Sequence, residues 1–304
     1  MPRHESHLAA KIRELAEDRN AIILAHNYQR PEVQDAADFL GDSLELSQKA
    51  AKSDAEIIVF CGVHFMAETA SILCPDKTVL IPELNAGCPM ADMITVRGLR
   101  NLRNEHPKDP VVCYVNTSAD VKAESDICCT SANALRIVES IEEPEVIFVP
   151  DKYLAHYVST KTKKEIIPWK GFCPTHVKIL PEHVKKQRQL HPKAEVMVHP
   201  ECTPPVIALA DKVLSTGGMC SYAAKSSASE IIVGTETGLL HRLRKENPDK
   251  RFYPASEFAV CPNMKLTTLE KVLWSLQDMA HEIQVPKNIR IKAKTAVDRM
   301  LEYI

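Results

Sequence analysis

The stretch Glu165-Ile-Ile-Pro-Trp-Lys-Gly-Phe-Cys-Pro-Thr-His176 sets a short apolar run a few residues ahead of a Cys-Pro pair. The same order occurs twice more: a run at 78–82 precedes Cys88-Pro89, and one at 251–254 precedes Cys261-Pro262. The three cysteines lie 85 and 88 residues apart, too wide for a zinc ribbon and regular enough to mark a repeated unit. One thiolate per unit, carried to a common centre, can hold an iron–sulfur cluster with one iron left open, or another metal with a free position.

Other landmarks share the period. His26 closes the apolar run 21–25, and His199 closes 195–198. Ser43 corresponds to Thr216 and Cys88 to Cys261, and all three pairs are offset by 173 residues. The middle unit fits with small shifts, through Asn116 after the run 111–115, Ser131 and Cys173. Runs at 56–60, 145–148 and 230–233 match one another as second strands, each followed by a helical pattern. Short apolar runs alternating with helical stretches predict parallel sheets covered by helices, hence an α/β fold. The expected units span about 1–105, 106–190 and 191–304, with polar, proline-containing boundaries near 104–110 and 183–193.

Composition narrows the function. Of the 304 residues, 45% are hydrophobic, which supports a packed core, and the net charge of -2 gives no reason to expect nucleic-acid binding. No segment is long and apolar enough to span a membrane, and Met1-Pro-Arg-His-Glu-Ser-His7 lacks a signal-peptide core. Leu8, Ile12 and Leu15 mark an amphipathic first helix. A cytoplasmic location is expected. There, ten cysteines point to metal or catalytic use for some of them. The absence of C-x-x-C argues against zinc ribbons and thioredoxin-like chemistry. Most of the other seven, Cys61, Cys74, Cys113, Cys128, Cys129, Cys202 and Cys220, read as small buried hydrophobes, Cys128 and Cys129 in their apolar run above all. Neither G-x-G-x-x-G nor a Walker A motif occurs.

Candidate site residues gather at predicted strand ends, where open α/β sheets bind ligands. His26, Asn116 and His199 sit there, with Tyr28 and Glu201 two residues further on and Tyr114 near the end of its strand. A single such histidine reads as structural, but recurrence at matched positions reads as a site. Each unit also carries an Asp five residues before a hydroxyl: Asp38 and Ser43, Asp126 and Ser131, Asp211 and Thr216. Ser215 adjoins Thr216. Each hydroxyl alone reads as a helix N-cap. Three helix N-termini aimed at one point would instead form an anion site suited to carboxylates or phosphate. His176, three residues after Cys173, reads as a base beside the metal, a fourth ligand, or a surface histidine, and a Cys₃His zinc site stays open. His64, His156 and His241 do not align between units and read as solvated or capping. Residues 266–282 read as a packing helix through Leu269, Val272, Leu273, Leu276 and Met279.

Nine stretches run in order across the chain: Ala25-His-Asn-Tyr-Gln29, Gly41-Asp-Ser43, Tyr114-Val-Asn-Thr-Ser118, Cys129-Thr-Ser131, Trp169-Lys-Gly-Phe-Cys-Pro-Thr-His176, His199-Pro-Glu-Cys202, Ser215-Thr-Gly-Gly-Met219, Gly234-Thr-Glu-Thr-Gly-Leu-Leu-His241 and Cys261-Pro-Asn-Met-Lys265. Together they resemble the quinolinate synthase family. The resemblance implies three pseudo-threefold-related αβα (Rossmann-like) domains around a central active site, with a [4Fe–4S] cluster on Cys88, Cys173 and Cys261. It implies condensation of iminoaspartate with dihydroxyacetone phosphate to quinolinate, phosphate and water, in NAD biosynthesis. It further implies that His26, Ser43, Tyr114, Asn116, Ser131, His199, Ser215 and Thr216 bind substrate oxygens, with His176 and Glu201 beside the substrate. Tyr28, Glu201, His199 and His26 suit the proton transfers. Iminoaspartate is unstable in water, so an aspartate oxidase or dehydrogenase is the expected functional partner. Some members carry extra cysteines near the third ligand, but none lies within three residues of Cys261, so no regulatory disulfide is expected there. The competing readings are another [4Fe–4S] hydro-lyase acting on a small hydroxy-acid, and a non-catalytic iron–sulfur sensor.

Overall fold

The structure, a computed structural model, describes residues 3–303. It contains three four-stranded parallel sheets of one topology. The first comprises β1 (Ala21–His26), β2 (Phe39–Gly41), β3 (Ile57–Cys61) and β4 (Thr78–Leu80). The second comprises β5 (Val111–Tyr114), β6 (Ile127–Cys129), β7 (Glu145–Val149) and β8 (Glu165–Pro168). The third comprises β9 (Glu195–Val198), β10 (Lys212–Val213), β11 (Glu230–Gly234) and β12 (Arg251–Pro254). Their spatial orders, β2-β1-β3-β4, β6-β5-β7-β8 and β10-β9-β11-β12, are the same order applied three times. The central strands are apolar without alternation, as in Ile57-Ile-Val-Phe-Cys61, which is buried along its whole length. Such continuous runs mark sheets covered on both faces by helices.

Two polar devices recur with the sheets. Asp38, Asp126 and Asp211, which the sequence singles out by their spacing to a hydroxyl, each accept a backbone N–H at the first strand of their own sheet. The donors are Ile23 at 2.8 Å, Val111 at 2.7 Å and Val196 at 2.8 Å. Lysines at matched places cover helix C-termini, where free carbonyls carry partial negative charge. Lys77 donates to the carbonyls of Ala50 and Ser53, Lys164 to those of Ile141 and Glu143, and Lys250 to those of Ala223 and Ser226.

After the third sheet the chain returns to cover the other two. The helix Leu269–Asp278 packs on the first helix, Arg3–Asp18, and on β3. Leu8, Ile12, Ala16, Leu269, Val272 and Leu276 share one apolar cluster there. This helix is shorter than the periodicity of 266–282 predicts. The Thr268 hydroxyl caps its start by accepting the Lys271 N–H, and Met279 ends it in the left-handed conformation at φ 52°. The last helix, Lys287–Leu301, packs against β6 and the helices Ala119–Ala123 and His64–Leu73. Arg299 there donates to the Asp126 carbonyl at 2.7 Å.

Ile12 has no exposed surface in the contact between the first helix and the helix Leu269–Asp278. Ile12→Ala is expected to destabilise the protein by about 2–5 kcal/mol, read as a lowered urea midpoint with an unchanged m-value.

Candidate active site

Because every strand within a sheet runs the same way, each sheet has one edge of carboxyl ends, and residues from all three edges line one cavity of about 180 Å³. The first unit contributes His26, Tyr28, Asp42, Ser43 and Cys88. The second contributes Tyr114, Asn116, Thr130, Ser131, Cys173, His176 and Lys178, and the third His199, Glu201, Thr216 and Cys261. Val63, Phe65, Met66, Met90 and Met264 form its apolar wall. Every candidate site residue except Ser215 lines the cavity. Ser215 is the N-cap of the helix Thr216–Lys225, accepts the Gly218 N–H, and donates to Asp42 Oδ2 at 3.2 Å. In the first unit Asp42 is the cap, accepting from the N–H groups of Leu44 and Glu45. Capping thus falls to Asp42 and Ser215, and Ser43 and Thr216, one residue further on, reach the cavity wall.

Glu201 is the hub of the polar network. Its Oε1 accepts the Tyr114 hydroxyl at 2.6 Å, and its Oε2 lies 2.7 Å from His176 Nδ1. Burial pushes this carboxyl up, but His176, His199 and the Tyr114 hydrogen bond together hold it below the usual carboxylate range. Glu201 is therefore an ionised acceptor, which assigns the His176 proton to Nδ1. His176 Nε2 then accepts from Thr235 Oγ1 at 2.9 Å or from the Tyr28 hydroxyl at 3.4 Å. Tyr28 and Thr235 are themselves 2.5 Å apart. The result is a continuous path Tyr114–Glu201–His176–Thr235–Tyr28. Burial, and next the Glu201 charge, raise both tyrosine hydroxyls well above the ordinary phenol value, so both stay protonated donors.

His26 and His199 repeat one local device. His26 Nδ1 accepts the N–H of Tyr28 at 3.2 Å, and His199 Nδ1 accepts that of Glu201 at 3.3 Å. Each bond assigns the ring proton to Nε2. His199 Nε2 donates to Ser131 Oγ at 3.1 Å. Burial is the main reason that both pKa values fall to about 3. The rings are therefore neutral N–H donors at physiological pH. Asn116 Oδ1 is buried without a hydrogen-bond partner, an acceptor left for a ligand.

The cysteines divide cleanly. Cys88, Cys173 and Cys261 are partly open, and the other seven are buried within the protein, as their sequence reading expects. Each of the three is followed by a short 3-10 turn: Ala91–Met93, His176–Lys178 and Asn263–Lys265. The N–H groups two and three residues on face each sulfur: Met90 and Ala91, Thr175 and His176, Asn263 and Met264. The intervening proline has no N–H to offer. Burial still dominates. It pushes the Cys88 thiol up to about 12 and raises Cys173 and Cys261, so a thiolate here needs a cationic partner. Cys173, His176 and Glu201 also bring their donor atoms within 4.8 Å of one another, a set that a metal ion could use.

A backbone clamp, invisible to sequence patterning, carries these loops. His64 N donates to Ala86 O at 2.7 Å, Lys152 N to Gly171 O at 2.9 Å, and Thr237 N to Ala259 O at 3.0 Å. Each acceptor precedes its cysteine by two residues. Gly171 has no room for a side chain, since a Cβ would lie 2.5 Å from the Pro150 carbonyl oxygen. Cross-links join the loops: Trp169 Nε1 donates to Met93 O at 2.9 Å, and Asn263 Nδ2 to Gly87 O at 2.7 Å. Thr235, Asp42 and Asn27, whose amide donates to Thr216 Oγ1 at 3.0 Å, are site residues that spacing alone did not reveal. His241 stands elsewhere, paired with Asp35 at 2.9 Å.

One cavity shared by three sheets of identical topology, with an acid–base path and three thiols converging on it, is the build of an α/β enzyme whose centre belongs to no single unit. The family model described as Quinolinate synthetase A protein matches residues 10–302. The chain is 61% identical over 297 residues to the quinolinate synthase of Dehalococcoides mccartyi strain CBDB1, and 59% identical over 297 residues to that of Methanosarcina barkeri strain Fusaro, covering 98% of each chain in both cases. The quinolinate synthase of Geobacter sp. strain M21 is 56% identical over 294 residues, covering 97% of each chain. The chain belongs to the quinolinate synthase family. No helix among the described residues is long and apolar enough to cross a membrane.

The two buried rings set a pH dependence. Below about pH 6.5 the unfolded chain binds protons that folded His26 and His199 refuse, so stability falls as pH drops toward 3. The loss is up to ~1.4 kcal/mol per pH unit for each ring. Urea midpoints at pH 7 and 5.5 should therefore differ, and His26→Gln should reduce the difference.

Proposed function

We propose that this chain condenses iminoaspartate with dihydroxyacetone phosphate to form quinolinate, phosphate and water, supplying the pyridine ring for NAD. The observation that carries the reading is the convergence of Cys88, Cys173 and Cys261, one from each unit, on the cavity that holds the Glu201 network. The donor set fits a [4Fe–4S] cluster: three thiols, each met by two backbone N–H groups, in surroundings where thiolates require positive charge. Loading then releases protons from the thiols. Bound there, the cluster supplies a Lewis-acidic iron with a free coordination position.

The chain's own groups divide the remaining work. The substrates bring carboxylates and a phosphate, and the cavity meets them with neutral donors: the Nε2–H groups of His26 and His199, the Asn116 amide, and the hydroxyls of Ser43, Ser131 and Thr216. Neutral donors orient anions without drawing the Glu201 carboxylate into an ion pair with a fixed cation. Lys178 is the one lysine or arginine among the lining residues, and its exposure suits it to the phosphate, which leaves toward solvent. Glu201 is the base, ionised and held between Tyr114 and His176. Tyr114 and Tyr28, kept protonated, are the acids, and His176 passes a proton between Glu201 and the Tyr28–Thr235 pair. Condensation and ring closure need such transfers, and buried groups make them without exchange with bulk water. Iminoaspartate hydrolyses in water, which calls for an aspartate oxidase or dehydrogenase as its source.

The test is an anaerobic assay of reconstituted protein with freshly generated iminoaspartate and dihydroxyacetone phosphate, following quinolinate by chromatography. Cluster-dependent quinolinate is expected, and cluster-loaded protein that forms none would overturn the reading. Cys88→Ala, Cys173→Ala and Cys261→Ala should each lose iron and activity, whereas Cys128→Ala and Cys220→Ala should keep both. Glu201→Gln should keep its iron and lower kcat by about 10²–10⁴-fold. An unchanged kcat would remove Glu201 from proton transfer.

A further inference from the structure

Two carboxylates occupy matched places just beyond the clamp. Asp151 and Glu236 each follow the end of their sheet's third strand in sequence, β7 or β11, by two residues, and neither has exposed surface. The next residue in each case, Lys152 or Thr237, donates the clamping N–H. Glu236 Oε1 accepts the backbone N–H of Cys261 at 3.1 Å, and its Oε2 accepts that of Gly238 at 2.7 Å. Asp151 Oδ1 accepts from Tyr153 and Leu154 at 2.7 and 2.8 Å. Its carboxyl faces the Cys173 N–H, and Oδ2 is buried without a well-formed bond of its own. In the first unit the corresponding residue is Val63, which has nothing to offer Cys88.

Glu236 does more than hold Cys261. Lys265 Nζ lies 3.0 Å from its Oε1 and also donates to the Tyr28 carbonyl. Gly238 closes the knot. A Cβ there would lie 2.6 Å from Lys265 Nζ, 2.7 Å from Glu236 Oε2 and 2.8 Å from the Tyr28 oxygen. Arg30 Nε donates to the Lys265 carbonyl at 2.7 Å, tying the loop after β1 to the third cysteine loop. One buried ion pair therefore joins the Cys261 backbone to the Tyr28 backbone.

We propose that Glu236, through its pair with Lys265, and Asp151 are positioning residues that fix Cys261 and Cys173 for the cluster, with Glu236 also setting Tyr28 relative to it. This rests on the cluster reading above. Groups that orient metal ligands commonly change metal retention by 10–100-fold when removed. Glu236→Gln keeps the size of the side chain and an acceptor for Cys261, but leaves the Lys265 ammonium unpaired. Lys265→Met leaves Glu236 without its cation and removes the link to Tyr28.

The experiment uses the full chain, reconstituted anaerobically with iron and sulfide. It measures iron and sulfide per chain, the rate of iron release to a chelator, and the electron paramagnetic resonance spectrum of the reduced cluster. Glu236→Gln, Asp151→Asn and Lys265→Met are expected to release iron at least about tenfold faster than wild type, with shifted spectra. Glu195→Gln, which bonds Tyr222 and Ser226 away from the cavity, is expected to match wild type in both. Wild-type release rates and spectra in Glu236→Gln and Lys265→Met would overturn the proposal. If Glu236→Gln does not fold, Lys265→Met decides the point alone. A wild-type chain that takes up no iron would instead sink the cluster reading, and this inference with it.

Discussion

Three backbone hydrogen bonds, from His64, Lys152 and Thr237 to the carbonyls of Ala86, Gly171 and Ala259, govern where the three Cys-Pro loops stand. Each joins the third residue after its sheet's third strand in sequence to the loop leaving the fourth, and so stops each cysteine two residues later. A thiol at the end of a free loop would cost conformational entropy to order at a metal. Here that cost is met in folding, because the clamp extends parallel pairing that the sheets already make. The 3-10 turn after each Cys-Pro pair then sets two N–H groups toward the sulfur. Asp151 and Glu236 brace the Cys173 and Cys261 loops from behind, and Asn263 reaches Gly87 in the Cys88 loop.

The electrostatics of the cavity follow from the same geometry. Burial alone would protonate Glu201, but two donors of the second unit, Tyr114 and His176, converge on its carboxylate. Burial also strips His26 and His199 of charge, while their Nδ1 atoms are occupied by the N–H two residues on. The site thus combines one ionised base, two protonated phenols and several neutral donors. A reaction that must move protons and hold carboxylates in one small space needs this combination, because a full cation inside would pair with the base.

Much of this was legible beforehand because the repeat is written in the chain. The matched second-strand runs, the 173-residue offset linking His26 to His199 and Cys88 to Cys261, and the Asp-to-hydroxyl spacing all come from one unit used three times. The spacing of Asp38, Asp126 and Asp211 pointed to hydroxyls, yet the carboxylates themselves turn back to hold their own sheets. Ser215 shows the limit of adjacency. It sits beside Thr216 in sequence, but the helix takes its hydroxyl as a cap and leaves Thr216 to the cavity. Thr235 and Lys265 carried no periodic signal, since each acts through a partner far away in the chain.

The sequence by itself determined the α/β class, the threefold repeat, and which three of ten cysteines stand apart, because these depend on local apolar runs and on residue identity at a period. Only the tertiary structure decided that Glu201 meets Tyr114 and His176, that Asn27 holds Thr216, and that Glu236 and Lys265 join Cys261 to Tyr28. Those contacts cross between units or between distant loops. They form only when three separate sheets turn their carboxyl edges toward one cavity, and no local pattern in the chain encodes that approach.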